Sequence, residues 1–359
     1  MAAFSALNGA DILVTGHTGF TGSWVCYALR HFGARIHGIA LPPPTTPSMF
    51  HLAHVAHLLT SQRLVDIADH QAVFEYAAET RPLAILHLAA QPLVLPSYVD
   101  PVRTFQTNVM GTVNVLEAAR QTQTVQGVVA ITTDKVYAND GSDNTFTESA
   151  RIGGHDPYSA SKAAAEMAID GYRLSLPSWQ RNMSIDTARG GNIIGGGDWS
   201  ANRLIPDYAR AISNKTPLLI RNPNATRPWQ HVLCLVHGYL LLLNRILSGT
   251  IKRSTEPLGE AWNFGPDPSD CISVAELMDK MAQNWTTASI ETSHSSVYEA
   301  NYLKIDPTKA KHRLGWRPSI AIEKAVELTA EWYKVYQINP EKLDALTHQQ
   351  TENYFAPLT

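Results

Sequence analysis

The chain has 359 residues, 29 Lys+Arg against 32 Asp+Glu and a formal net charge of −3. At roughly 100–200 residues per domain, that length admits two or three domains, or one large fold with insertions. Near-neutral charge without basic clusters argues against nucleic acid or an anionic membrane surface as main partner. The lack of any apolar run of about 18–20 residues argues against a membrane span. Three cysteines, Cys26, Cys234 and Cys271, are too scattered for a disulfide framework, and no zinc-type spacing joins them. The first residues, MAAFSALNGADILVTG, lack the charged and apolar regions of a signal peptide, so a soluble, cytoplasmic protein is expected.

In chain order, Asp11–Thr15 (DILVT) fits a buried parallel strand closed by Gly16, and Phe20–Phe32 has helical periodicity ended by Gly33. Arg35–Leu41 reads as a second strand. Four prolines exclude regular structure over Pro42–Phe50. Then come a brief strand at Leu64–Asp66, a helix at Gln71–Glu79, a strand at Ala84–Leu88, a long helix at Pro101–Gln121 and a strand at Gly127–Thr132. A helix over Pro157–Leu176 and a strand over Ser184–Arg189 complete the series. Such alternation predicts an α/β fold with a doubly wound parallel sheet. At Gly190–Gly197 the pattern changes to loops rich in Pro, Asn and Arg, then shorter elements.

The first strand runs into Gly16-His17-Thr18-Gly19-Phe20-Thr21-Gly22, a G-x-x-G-x-x-G loop opening a helix. Glycines there let the backbone approach a pyrophosphate, which the helix N-terminus favours through its N–H groups and dipole. Tyr158 and Lys162 lie four residues apart on one helix face, so an ammonium near the phenol is expected to lower its pKa from about 10, making it a base. Thr132-Thr133-Asp134-Lys135 ends the preceding strand, where active sites of open α/β sheets lie. Asp134 has the chemistry to protonate a leaving hydroxyl, and Lys135 to assist proton removal from carbon.

This glycine spacing resembles that of short-chain dehydrogenase/reductase proteins, especially the extended class. The resemblance implies an NAD site. Gly16, Thr18, Gly19, Phe20 and Gly22 would line its phosphates, Asp66 and Ile67 would contact adenine, and Leu88, Ala89 and Ala90 would underlie the nicotinamide ribose. Tyr158 and Lys162 would face both cofactor and substrate. No acid ends the second strand (Gly38–Pro42) and no arginine follows, so that position leaves NAD or NADP open, NAD being usual in the family. Residues 1–189 are then expected to form a Rossmann domain, with elements returning from about 230–260. Residues 190–359 should form mainly a smaller α/β substrate-binding region.

TGHTGFTGSW, LAAQPLVLPSY, TNVMGTVNVLEAAR, GGNIIGGGDWSANRLIPD and IRNPNATRPWQHVL together resemble the CDP-glucose branch of the sugar-nucleotide 4,6-dehydratases. Asp134-Lys135 is similar to that branch, where other dehydratases usually carry Asp-Glu. The resemblance implies oxidation of the sugar at C4 by Tyr158 and NAD, with Thr133 bonding the reacting hydroxyl. Elimination of water across C5 and C6 follows, with Asp134 as acid, then reduction at C6. It also implies CDP-glucose as substrate, products that feed deoxysugars of bacterial surface polysaccharides such as O-antigen, and a homodimer or higher oligomer built on the two long helices. Asn192, Arg203 and Arg227 would hold the diphosphate and Gln91 would face the substrate, while Trp199 and Trp229 are candidates for site walls or core.

Two positions depart from the family: Thr21 stands where lysine is usual, and Leu95 where arginine is usual. A GDP-mannose 4,6-dehydratase or a 4-epimerase is the alternative enzyme, against which Asp134-Lys135 and IRNPNATRPWQHV speak. A cofactor-sensing protein without catalysis is the other alternative, against which Thr133, Tyr158 and Lys162 speak. His51, His54 and His57 spread over a wide helical arc with no carboxylate at hand, so no metal site is expected.

Overall fold

The computed structural model describes residues 4–176, 178–179, 182–249, 258–267, 270–292 and 302–358. A seven-stranded sheet organises it, in the order Ala261–Asn263, Ser184–Arg189, Gly127–Ile131, Ala84–His87, Asp11–Thr15, Arg35–Ala40, Ser61–Leu64, every neighbouring pair parallel. The chain starts in mid-sheet, builds outward through Arg35–Ala40 and Ser61–Leu64, then crosses to the other side of Asp11–Thr15. The crevice at this reversal of strand order is where open α/β sheets bind ligands.

Alternation along the strands divides the core. Ile12, Val14, Leu86 and Val129 face the helices Phe20–His31 and Val232–Leu247. Leu13, Ile85 and Val128 face His70–Thr80, Gly111–Gln121 and Pro157–Ser175. Helices on both faces explain why the central strands are buried throughout while Ser61–Leu64, at the edge, alternates with more exposed residues. Beyond Arg189 the chain makes two-stranded pairs: Ile193–Ile194 with Gln230–His231, Leu218–Ile220 with Ile290–Thr292, and Thr226–Arg227 with Ile272–Ser273.

Several boundaries differ from expectation. The third strand is Ser61–Leu64 rather than Leu64–Asp66, because its polar residues pair with His37–Ala40 at an edge that tolerates them. Met49 and Phe50, expected to be irregular, begin a short helix capped by Ser48 once the prolines are passed. The helix expected over Pro101–Gln121 carries a π segment at Gln106–Met110, which turns Asn108 inward to bond Gln91 and Ser161. Ala261–Asn263, three residues long, joins the sheet as its far edge strand.

Candidate active site

A cavity of about 730 Å³ opens outside the C-terminal ends of the strands. Thr132, Thr133, Asp134 and Lys135 reach it from the turn after Gly127–Ile131, and Tyr158 and Lys162 from the first turns of Pro157–Ser175. That helix is set by Asp156, whose side chain accepts from the Ser159 N–H, and by Pro157 in its first turn. The Ser97 hydroxyl accepts from the Tyr158 N–H at 3.1 Å, pinning the tyrosine's backbone.

Thr133, Asp134, Tyr158 and Lys162 are buried, and Lys135 is half-buried. Thr133 Oγ1 donates to Asp134 Oδ1 at 3.0 Å, accepts from the Lys135 N–H at 3.3 Å and hydrogen-bonds the Tyr158 hydroxyl. Lys162 Nζ donates to the Ile131 carbonyl at 3.1 Å. The second oxygen of Asp134 is buried without a hydrogen-bond partner and lies against the Gly191 backbone, where a Cβ would approach it to 2.2 Å. Burial raises the Asp134 carboxyl above the usual range, against the pull of Lys135, Thr133 and Arg227. That shift favours the protonated form, the one a donor to a leaving hydroxyl needs.

The expected depression of the Tyr158 pKa is not found. Burial pushes the phenol up to about 12, outweighing the hydrogen bond to Thr133 and the charge of Arg203. Burial also brings Lys162 down to about 8, against the attraction of Glu166. Spacing alone placed the cation on the right face, but desolvation acts on both partners and decides the sign.

The residues expected to hold substrate separate into two sets. Asn192, Arg203 and Arg227 line the cavity, Asn192 with a left-handed backbone (φ 50°) and Arg203 aligned by Asp198 at 3.1 Å. Trp229 lines it too, its indole N–H donating to the Ile272 carbonyl at 3.2 Å. Trp199 does not: its ring packs on Trp332, Tyr333 and Tyr336 in the core behind the site. Gln91 is also turned away, its amide engaged with the Leu93 carbonyl and Thr104 within its own loop. Thr21 and Leu95, the two departures from the family, both face the cavity. Residues missed in the sequence include Arg221, within the quoted IRNPNATRPWQHVL run, and Pro217–Ile220, whose apolar types gave no signal.

The glycine loop fits a dinucleotide. The helix Phe20–His31 starts at Gly19 with no side-chain cap, so no capping side chain competes with an anion for its first N–H groups. Gly16 has φ 78° and lies so close to Ala89 that a Cβ would approach its nitrogen to 2.8 Å. At Asp66, the expected adenine contact, burial tends to raise the carboxyl, but the Ala68 N–H and Arg103 prevail and hold it below the ordinary range. Leu88, Ala89 and Ala90 follow the Ala84–His87 strand rather than end it. The Leu88 and Ala89 N–H groups donate to Thr15 Oγ1 at 3.1 and 3.0 Å, and Leu88 and Ala90 line the cavity.

The three histidines do not share a helix, since His54 is left-handed (φ 48°) between two short turns. Among the described residues no group of three or more His, Cys, Asp or Glu is placed to hold a metal, and no helix is long and apolar enough to cross a membrane.

Comparison with known proteins identifies the family. The chain is 38% identical over 357 residues to a CDP-glucose 4,6-dehydratase of Salmonella typhimurium, covering 98% of each chain. It is 28% identical to a dTDP-glucose 4,6-dehydratase of Neisseria gonorrhoeae, covering 90% of this chain and 95% of that one. The fold matches a UDP-glucose 4-epimerase of Brucella ovis solved with NAD, with a TM-score of 0.77 at 20% identity, covering 90% of this chain and 98% of the other. The family model described as GDP-mannose 4,6 dehydratase matches residues 13–329. The chain therefore belongs to the GDP-mannose 4,6-dehydratase family, the sugar-nucleotide dehydratases of the extended short-chain dehydrogenase/reductase class.

Proposed function

We propose that this protein converts CDP-D-glucose to CDP-4-dehydro-6-deoxy-D-glucose and water. The observation that carries the reading is the convergence of Thr133, Asp134, Tyr158 and Lys162 on one cavity, with a buried carboxyl oxygen left without a partner. The Asp134-Lys135 pair and the 38% identical relative favour the cytidine nucleotide over others.

When bound, NAD supplies hydride acceptance at C4 and return at C6, so the reaction carries no net redox change. The chain's own groups move the protons. Tyr158 takes the C4 hydroxyl proton, with Thr133 orienting that hydroxyl and Lys162 supplying positive charge beside it. The resulting ketone acidifies C5–H, and Asp134 gives its proton to the C6 hydroxyl as it leaves as water. Lys135 stabilises the enolate or takes the C5 proton through water. Arg203 and Arg227 grip the diphosphate, and Asn192 bonds it from the turn after Ser184–Arg189.

Residues 1–189 hold the cofactor and residues 190–359 mainly the sugar nucleotide. The protein works in the cytoplasm and supplies deoxysugars of surface polysaccharide such as O-antigen. It pairs with a second copy through its long helices: Val102 and Met110 on one, with Met167 and Leu174 on the other, are exposed apolar side chains.

Incubation with CDP-glucose, dTDP-glucose and GDP-mannose tests the substrate. A 4-keto product absorbing in alkali is expected from CDP-glucose; its absence there refutes the reading.

A further inference from the structure

We infer that Glu166, two turns beyond Tyr158 and one beyond Lys162 on the same helix, is a positioning residue that holds Lys162 as the ammonium and fixes the Thr132–Thr133 turn. Residues at i, i+4 and i+8 share a helix face, so Tyr158, Lys162 and Glu166 form one line running from the cavity into the core. Glu166 is 1% exposed, and both its oxygens are filled. Oε1 accepts from Thr132 Oγ1 at 2.6 Å and Arg189 Nε at 2.8 Å; Oε2 accepts from Thr187 Oγ1 at 3.1 Å and Arg189 Nη2 at 2.9 Å.

Arg189 carries the network onward. Its Nη1 donates to the Tyr137 hydroxyl at 3.1 Å and the Glu148 carbonyl at 3.0 Å, and the Tyr137 hydroxyl donates to Asn263 at 2.6 Å. Three strand ends, at Thr132, Arg189 and Asn263, are thereby tied to the helix that carries Tyr158. A buried ion pair adds little net stability over a well-packed apolar pair, so its particular contribution is the field and the bonds it directs at neighbours. Burial opposes the Glu166 charge, but Arg189 and the two threonines prevail and keep it ionised.

The charged groups around Lys162 include the Arg189 guanidinium that pairs with Glu166. Tyr158 and Glu166 share its helix. From the adjoining strand, His87 is kept neutral by burial and engaged with Thr15 at 2.7 Å and Thr112 at 3.0 Å. Asp134 shares the cavity. Glu166 is the ionised acid among them, and it opposes the burial that brings the lysine down to about 8.

The inference rests on the dehydratase reading for its kinetic arm alone. Trace acetylation of the full protein with acetic anhydride across pH, read by peptide mass spectrometry, titrates Lys162 without turnover. A midpoint near 8 is expected for the unaltered protein. Glu166→Gln should lower it by about one pH unit, and Glu166→Asp should return most of that shift. In turnover of CDP-glucose, Glu166→Gln should lower kcat about tenfold with KM unchanged, and move the alkaline limb to lower pH. If Glu166→Gln does not fold, Glu166→Gln with Arg189→Gln removes both charges and takes the same measurements. An unmoved Lys162 midpoint in Glu166→Gln, or in the double variant set against Arg189→Gln alone, overturns the inference. If the unaltered protein yields no 4-keto product, the dehydratase reading falls while the labelling still judges Glu166.

Discussion

Two fully buried carboxylates flank the turn after Gly127–Ile131, and their surroundings shift them in opposite directions. Asp134 receives a hydrogen bond from Thr133 on one oxygen and none on the other. Glu166 receives four, two from a single guanidinium. Burial alone disfavours both charges; only Glu166 has the donors to overcome it. The same side-chain chemistry on either side of one turn thus yields a carboxyl drawn toward its acid form and another drawn toward its anion.

The largest expected effect lies at Tyr158. Tyr158→Phe should lower turnover by about 10²–10⁴-fold while nucleotide binding, measured by calorimetry, persists; turnover at the unaltered rate removes the tyrosine from its role. Next comes Asp134→Asn, which should still oxidise the sugar but stall before elimination. The absorbance of reduced cofactor should build up, with product formation down about a hundredfold or more. Since its carboxyl is raised and must be protonated to act, unaltered enzyme should lose rate as pH climbs through that raised value. Product formation at the normal rate in the Asn variant would show that the lone oxygen is not the donor. The smallest effect belongs to Trp199→Phe. It should cost about 1–3 kcal/mol of stability, seen in the melting temperature, and leave KM for the sugar nucleotide alone. A raised KM with an unchanged melt would return Trp199 to the site.

The two halves of the chain differed in how far their residues alone disclosed them. The strands at Asp11–Thr15, Ala84–His87 and Ser184–Arg189 stood out because strands covered on both faces need continuous apolar or small side chains between helical periods. Ala261–Asn263 did not, since three residues at an edge carry too little pattern. Tyr158, Lys162, Thr133 and Asp134 were legible because their spacing follows helix and strand geometry. Trp199 was not, because an indole suits core and cavity alike and only packing on Trp332 and Tyr336 decides. Glu166 was passed over for a similar reason: a glutamate in a helix signals solvent until its partners, Thr132 and Arg189, arrive from strands far along the chain.

The bare backbone at Gly191 and Gly196 bears on how such an enzyme can be redesigned. A side chain at 191 would meet the Asp134 carboxyl at 2.2 Å, and one at 196 would meet Trp332 at 1.9 Å. The Gly196 carbonyl meanwhile accepts from the Trp24 indole, on the helix behind the glycine loop, at 3.0 Å. This stretch is a welded seam between the two halves, where a grafted or lengthened loop would jam both at once. A change of nucleotide preference must therefore be sought further along, among Pro217–Ile220 and Arg221, which also line the cavity.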